Sequence, residues 1–174
     1  MQLDVADRPE ALAFDIFGTV LDLAGSLTPR LSELLDDCGA KTQVTTLWAY
    51  WRMRQRIEQY QDNIVALGHS GYLVTARRAL VYTLSFCDVA VDTVAIDELM
   101  QAWQQLSPFD DVADALVRLA EHYRLVGLSN GEPDFLEHRS AMRGVRNVWK
   151  TVTHFDIFLD LLVMCIRGLV LAIH

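Results

Sequence analysis

The pattern of hydrophobic and polar positions places short apolar runs on either side of a long helical stretch. Residues 11–14 form one apolar run, and Gly18 and Thr19 break the chain shortly after it. Residues 124–128 predict a second short strand. Apolar runs of this length, bounded by turn residues, are typical of strands buried on both faces. The pattern therefore predicts an α/β fold whose parallel sheet contains both segments.

Helical periodicity fills the stretch between the two strands. Thr28 followed by Pro29 predicts an N-cap and a first helical residue, and Gly39 predicts the end of that helix. The predicted helices of this stretch cover residues 29–38, 45–66, 72–86 and 97–106. In the helix at 72–86 one side is predicted to face inward, with Ala76, Ala79, Leu80, Thr83 and Leu84. After residue 108 a further helix is predicted, capped by Asp110 or Asp111.

These helices follow one another without a strand, which predicts a separate helical layer. We expect a helical cap at residues 24–106, inserted into an α/β core made of residues 1–23 and 107–174. Within the helix at 45–66, apolar residues recur at spacings of three and four along most of its length, which predicts the buried face. That predicted face consists of Trp48, Trp51, Ile57, Tyr60 and Ile64.

Composition narrows the possible partners. The chain has 174 residues, is 52% hydrophobic and carries a formal net charge of −8, so it can bury a core and lacks the basic surface that nucleic acid requires. Cys38, Cys87 and Cys165 show no CxxC spacing, and no signal-peptide pattern opens the chain. A cytoplasmic location is therefore expected.

The segment 155–173 is mostly apolar and raises the question of a membrane span. Asp156, Asp160 and Arg167 interrupt it. Each central charge costs roughly 2.5 to 3.5 kcal/mol on insertion scales. Burial in a protein core is therefore expected instead of membrane insertion.

Polar side chains follow both predicted strands. Asp15 comes directly after the run at 11–14, where ligands gather at the carboxyl ends of parallel strands. A carboxylate there can act as a nucleophile, and it can equally cap a turn. Ser129 and Asn130 follow the second strand, where a hydroxyl, an amide and the free amides of a helix start could hold an anionic group.

The sequence Phe-Asp-Ile-Phe-Gly-Thr-Val at 14–20 resembles the first motif of the haloacid dehalogenase superfamily. The resemblance implies a Rossmann-like core and makes Asp15 a covalent nucleophile, oriented by Thr19. Phosphatases of the superfamily carry a second Asp two residues after the first, and Phe17 stands there in this chain. An aromatic residue at that position is typical of the 2-haloacid dehalogenase branch, whose departing halide needs no proton.

Further segments resemble the same branch. The sequence Gly-Leu-Ser-Asn-Gly-Glu-Pro-Asp at 127–134 is similar to its second motif, in which the Ser and Asn bind the substrate carboxylate, so the resemblance assigns that role to Ser129 and Asn130. The sequence Trp-Ala-Tyr-Trp-Arg-Met-Arg-Gln at 48–55 is similar to the segment whose Arg receives the halide. Arg52 is the matching residue, with Trp51 and Phe17 as expected substrate contacts.

Taken together, the resemblance implies hydrolysis of short 2-haloacids to 2-hydroxy acids through an ester on Asp15, with no metal or cofactor. It covers about residues 11–137. The Lys and the Ser-Asn-Asp set that the family carries further on are not found, and Lys150 and Arg167 are the cations nearest the expected place. The chain therefore resembles a family member with a truncated or altered C-terminus, which could be weakly active or an inactive remnant, or dimerise through its apolar tail.

Other enzyme classes remain open from the same residues. Residues 127–131 fit G-x-S-x-G, which would make Ser129 the nucleophile of an α/β-hydrolase with Asp156 or Asp160 and His174. The helical stretch before Ser129 argues against that fold, which needs several strands before its nucleophile. A phosphatase of the same superfamily would keep Asp15 but would require Mg²⁺ and an acid at position 17.

Overall fold

A computed structural model describes residues 9–64, 70–129, 131, 149–152 and 171–173. They fall into two compact units. The first, here called the sheet unit, comprises the described residues within Met1–Asp22 and Ser107–His174, and the second, the helical unit, those within Leu23–Leu106. In chain order the elements are β1 (Ala11–Asp15), β2 (Leu21–Asp22), α1 (Leu23–Asp37), α2 (Val44–Ile64), α3 (Tyr72–Phe86), α4 (Thr93–Gln101), a 3₁₀ turn (Ala102–Gln105), β3 (Ser107–Pro108), α5 (Val112–Ala120), β4 (Arg124–Leu128), β5 (Trp149–Val152) and β6 (Leu171–Ile173).

The sheet unit is built on a sheet with the strand order β5-β4-β1-β6. Strand β4 runs parallel to both β1 and β5, and β6 pairs antiparallel with β1. The predicted α/β class with a Rossmann-like parallel sheet is thereby confirmed, and both predicted strands are present. The antiparallel edge formed by β6 was not predicted, since the apolar tail carries no strand-specific period.

Burial explains why β1 and β4 are adjacent. Leu12 of β1 and Leu125 of β4 are buried together with Leu116 of α5, and the rings of Phe14 and Tyr123 pack against them. Burying each leucine stabilises the fold by roughly 1.5 to 3 kcal/mol. The helix α5 begins after Asp111, as predicted, although the Asp111 side chain makes no capping hydrogen bond.

The start of the first helix differs from the prediction. Helix α1 begins at Leu23, so Pro29 lies inside it instead of at its first turn. An interior proline costs about 3 kcal/mol because it cannot donate to the carbonyl four residues earlier. The i, i+4 stripe of Leu23, Leu27, Leu31 and Leu35 is fully or almost fully buried. Burial of that stripe exceeds the cost of the proline, which explains why the helix runs through it.

Replacing Pro29 with alanine is expected to stabilise the protein by about 2 kcal/mol, since the missing helical donor is restored. Urea unfolding followed by circular dichroism at 222 nm would measure the change. Pro108→Ala is the matched control, because Pro108 lies in a strand and gains no helical hydrogen bond there. A Pro29→Ala protein no more stable than Pro108→Ala would contradict the prediction.

The C-terminus of α1 follows the sequence signal. The helix ends at Asp37, and Gly39 adopts a positive φ of 65°. The amide of Ala40 donates to the carbonyl of Leu35 at 2.9 Å, and the amide of Gly39 donates to that of Asp36 at 3.1 Å. This pair of bonds is the Schellman arrangement, which satisfies carbonyls that the helix leaves free. The predicted stop at Gly39 is confirmed.

The long helix exists as predicted, but its buried face is different. Helix α2 buries a stripe made of Leu47, Trp51, Gln55 and Glu58. Two of these residues, Gln55 and Glu58, are polar. Ile57, Tyr60 and Ile64 of the predicted face are exposed, Ile64 to 81%. Glu58 can be buried because the guanidinium of Arg54 donates to its carboxylate at 2.8 Å. Pairing of polar groups, which apolar spacing does not report, decided the rotation of this helix.

Of the remaining helices, α3 agrees with the prediction and α4 differs from it at both ends. Helix α3 covers the predicted range, and its predicted inner face is buried, as shown by Ala76 and Leu80, which are both 0% exposed. Helix α4 begins earlier than predicted, since the carboxylate of Asp92 accepts from the amide of Ala95 at 2.8 Å and caps it. Its predicted last turn is a 3₁₀ turn.

Candidate active site

Asp15 is the last residue of β1, at the carboxyl edge of the parallel sheet. The register pairs Asp15 with Leu128, the last residue of the neighbouring parallel strand β4. Ser129 follows directly, so both predicted site residues leave the sheet at the same edge. The hydroxyl of Thr19 donates to Oδ2 of Asp15 at 3.1 Å. A donor on one carboxylate oxygen fixes the orientation of the group.

A tight loop between β1 and β2 brings Thr19 back to Asp15. The amides of Val20 and Leu21 both donate to the carbonyl of Ile16, at 3.1 and 2.9 Å. Gly18 has a φ of 95°, a conformation that residues with a side chain rarely adopt. The glycine therefore permits a turn short enough for a side chain four residues after Asp15 to reach its carboxylate.

Phe17 is buried within this loop, with 8% of its surface exposed. An aliphatic residue, Ile16, is buried beside it in sequence. The position that carries the second acid in phosphatases is therefore apolar in structure as well as in sequence. Position 17 itself therefore offers no carboxylate that could protonate a leaving alcohol.

The second strand ends in a buried polar turn. Ser129 is only 3% exposed, and its hydroxyl oxygen accepts from the amide of Gly131 at 3.1 Å. Asn130 lies outside the described residues, as do Asp156, Asp160 and His174 of the serine-hydrolase alternative and the cation candidate Arg167. Lys150 belongs to β5, and its side chain is not described.

Arg52 lies in the helical unit, on α2, within a cluster of aromatic and amide side chains. Its guanidinium donates to Oε1 of Gln55 and, at 3.5 Å, to the hydroxyl of Tyr72. Its central carbon lies 5.7 Å from the centre of the Trp48 ring and 6.0 Å from that of Trp103. We call Arg52, Gln55, Tyr72, Trp48 and Trp103 the arginine cluster.

The charge of Arg52 has no carboxylate partner within 4 Å among the described residues, unlike that of neighbouring Arg54, which pairs with Glu58. Arg52 is half-buried, and an arginine side chain carries a delocalised positive charge. A partly buried cation surrounded by ring faces and neutral donors or acceptors is suited to bind a small anion.

Trp51 lies on the buried side of α2, as its spacing predicted. It is fully buried, and its indole N–H donates to the carbonyl of Ala76 on α3 at 2.8 Å. Its ring packs edge-to-face against Trp48 and Trp103. Trp51 therefore supports the rings that face Arg52, and a contact of Trp51 with substrate stays a prediction.

Sequence reasoning missed three members of the arginine cluster. Gln55 belongs to the motif at 48–55 but was predicted to have no role of its own. Its position three residues after Arg52 nevertheless puts both on one helix face. Tyr72 and Trp103 lie far from Arg52 in sequence, and their rings meet edge-to-face with centres 5.5 Å apart. No local spacing signals a contact between separate helices.

The described residues contain no group of three or more His, Cys, Asp or Glu side chains able to hold a metal ion. None of their helices is long and apolar enough to cross a membrane. Of the described thiols, that of Cys87 has its pKa raised by burial, so little reactive thiolate forms near neutral pH.

The sheet with Asp15 at its carboxyl edge, and the separate helical unit inserted between β2 and β3, define a fold class shared with dehalogenases. A solved dehalogenase in an intermediate complex is 25% identical, with a TM-score of 0.71 over 87% of this chain and 65% of that one. The L-2-haloacid dehalogenase of Xanthobacter autotrophicus has the same TM-score at 24% identity, over 92% of this chain and 66% of that one.

Sequence comparison leads to the same group of proteins. The (S)-2-haloacid dehalogenase of Xanthobacter autotrophicus is 29% identical over 150 residues, which are 84% of this chain and 55% of that protein. No family model matches the chain. The resemblance to the haloacid dehalogenase superfamily, and within it to the L-2-haloacid dehalogenases, is thereby confirmed at modest identity. The chain spans little more than half the length of this curated relative.

Proposed function

We propose that this chain catalyses the hydrolytic dehalogenation of short L-2-haloacids, with Asp15 as the nucleophile. The observation that carries the proposal is the carboxylate of Asp15 at the end of β1, held by Thr19 and followed by an apolar Phe17. The similarity to proteins named (S)-2-haloacid dehalogenase supports the substrate class.

In the first step an Asp15 oxygen attacks the halogen-bearing carbon from the side opposite the halogen. A carbon–oxygen bond forms, the carbon–halogen bond breaks, and its electron pair leaves as halide. Attack from behind inverts the carbon. No proton is required by a departing halide, which agrees with the apolar position of Phe17.

In the second step water attacks the carboxyl carbon of the Asp15 ester. The ester bond breaks, the 2-hydroxy acid leaves with its alcohol proton, and one proton is released to water. Asp15 is thereby regenerated as a carboxylate. Thr19 holds Oδ2 throughout, which keeps the group aligned for both attacks.

The other proposed roles concern charge. Arg52 is assigned to receive the departing halide. The reason for this assignment is that its guanidinium lacks a carboxylate partner among the described residues and is available to a small anion. Ser129 and Asn130 bind the substrate carboxylate at the end of β4. The proposed reaction uses a small-molecule substrate and no cofactor, and a homodimer remains a proposal to be tested by sedimentation.

One observation favours a weakly active or inactive relative instead. The motif in which the family carries the Lys that pairs with the nucleophile is not matched at residues 138–174, where Lys150 and Arg167 are the candidate cations. If neither of them serves Asp15, attack and ester hydrolysis would both be slower.

Halide release from L-2-chloropropionate by purified protein tests the two candidates. Steady release with formation of the inverted 2-hydroxy acid is expected, and the D-enantiomer serves as the control that should release far less. Absence of halide from a protein shown to be folded by circular dichroism would reject the proposed reaction and favour the inactive relative.

A further inference from the structure

Gln55 is an unusual residue for the interior of a helical unit. It is 1% exposed and stands in the buried stripe of α2, one helical turn after Trp51. Its Oε1 accepts from the guanidinium of Arg52. Its amide nitrogen Nε2 is buried, and no group of the described residues accepts a hydrogen bond from it.

This arrangement is unfavourable for folding alone. A buried amide donor without a partner loses its hydrogen bonds to water and gains none in return. An apolar side chain of similar shape, such as methionine, would fill the same space without that loss. Stability therefore does not explain a glutamine here, whereas a role in holding Arg52 does.

The chemistry of the Oε1 contact identifies that role. A neutral amide oxygen fixes the direction of the guanidinium and leaves its positive charge uncompensated. A carboxylate at the same place would also fix the direction of the guanidinium. It would, however, neutralise the positive charge and take the place of an anion, as Glu58 does for Arg54. Glutamine is thus the acceptor that orients Arg52 and keeps it available for an anion.

We propose that Gln55 is a positioning residue that holds Arg52 as a receptor for a small anion, at the expense of stability. The inference rests on the proposed function in that halide is the expected anion. It goes beyond that function because it assigns a role to a buried residue that contacts no reacting atom.

Chloride binding to the whole protein tests the inference directly. The probe is the line width of the ³⁵Cl NMR signal, which broadens when chloride binds protein and narrows again when bromide displaces it. Gln55→Met removes the acceptor, and Gln55→Glu retains it but adds a charge. The matched controls are Gln59→Met and Gln59→Glu, one turn further along the same helix.

The expected result separates positioning from structure. Chloride affinity should fall about tenfold in Gln55→Met, the loss of one hydrogen bond to a charged group, and disappear in Gln55→Glu. The thermal midpoint of Gln55→Met should stay within about 3 °C of the wild type, or rise. The Gln59 variants should bind chloride as the wild type does.

The inference would be overturned by an unchanged chloride affinity in Gln55→Met, or by the absence of bromide-sensitive broadening in the wild type. It would also be overturned if the chloride affinity of both Gln55 variants fell only in parallel with a loss of stability. Halide release from L-2-chloropropionate is measured separately. The expected chloride behaviour without turnover would retain the role of Gln55 and reject the proposed reaction. Turnover with unchanged chloride binding in Gln55→Met would reject only the role of Gln55.

Discussion

Replacing Asp15 with asparagine is expected to lower halide release from L-2-chloropropionate by at least about three orders of magnitude. The amide keeps the size of the carboxylate and can still contact Thr19, but it is a far weaker nucleophile. The expected loss therefore lies in kcat, with little change in the folded state. Initial rates measured by halide release, with circular dichroism as the test of folding, would determine it.

Asp110→Asn is the control for this substitution, because Asp110 is an exposed carboxylate of the same unit and should leave the rate unchanged. A second measurement examines the ester directly. Turnover in ¹⁸O-labelled water should place heavy oxygen in the Asp15 side chain, since the water attacks the carboxyl carbon. An Asp15→Asn protein that retains most of the activity, or label found only in the product, would refute the nucleophilic role.

Replacing Arg52 with lysine is expected to reduce kcat/KM by roughly 10²- to 10³-fold, the usual effect of removing one preorganised group that stabilises developing charge. Lysine keeps the charge but loses the planar group that lies against the rings of Trp48 and Trp103. The reduction should be greater for chloride than for bromide or iodide as leaving group, because the poorer leaving group depends more on stabilisation.

Arg54→Lys is the matched control, on the same helix and likewise next to an aromatic ring, that of Tyr82, at 4.0 Å. Its charge is already compensated by Glu58, so the activity should change less than about threefold while the stability falls by about 1 kcal/mol. Equal losses of activity in the two variants would show that Arg52 acts through the packing of α2, and would remove its proposed role toward halide.

Local signals were sufficient for the strands that carry the candidate site residues and for one helix of the helical unit. The apolar runs of β1 and β4 and the inner face of α3 were predicted from spacing, because each is a short segment whose own pattern matches the burial it acquires. The position of Asp15 at a strand end followed from Gly18 and Thr19. The conformational freedom of that glycine also permits the turn that brings Thr19 to the carboxylate.

The sequence by itself therefore determined the α/β class, the strand ends that carry Asp15 and Ser129, and the resemblance to L-2-haloacid dehalogenases. Only the tertiary structure decided that α1 runs through Pro29 and that α2 buries Gln55 and Glu58. The physical reason is that these outcomes depend on partners from other turns or other helices. A stripe of leucines compensates for a proline, and an arginine on the same helix pairs with a buried acid, so apolar spacing alone reports neither.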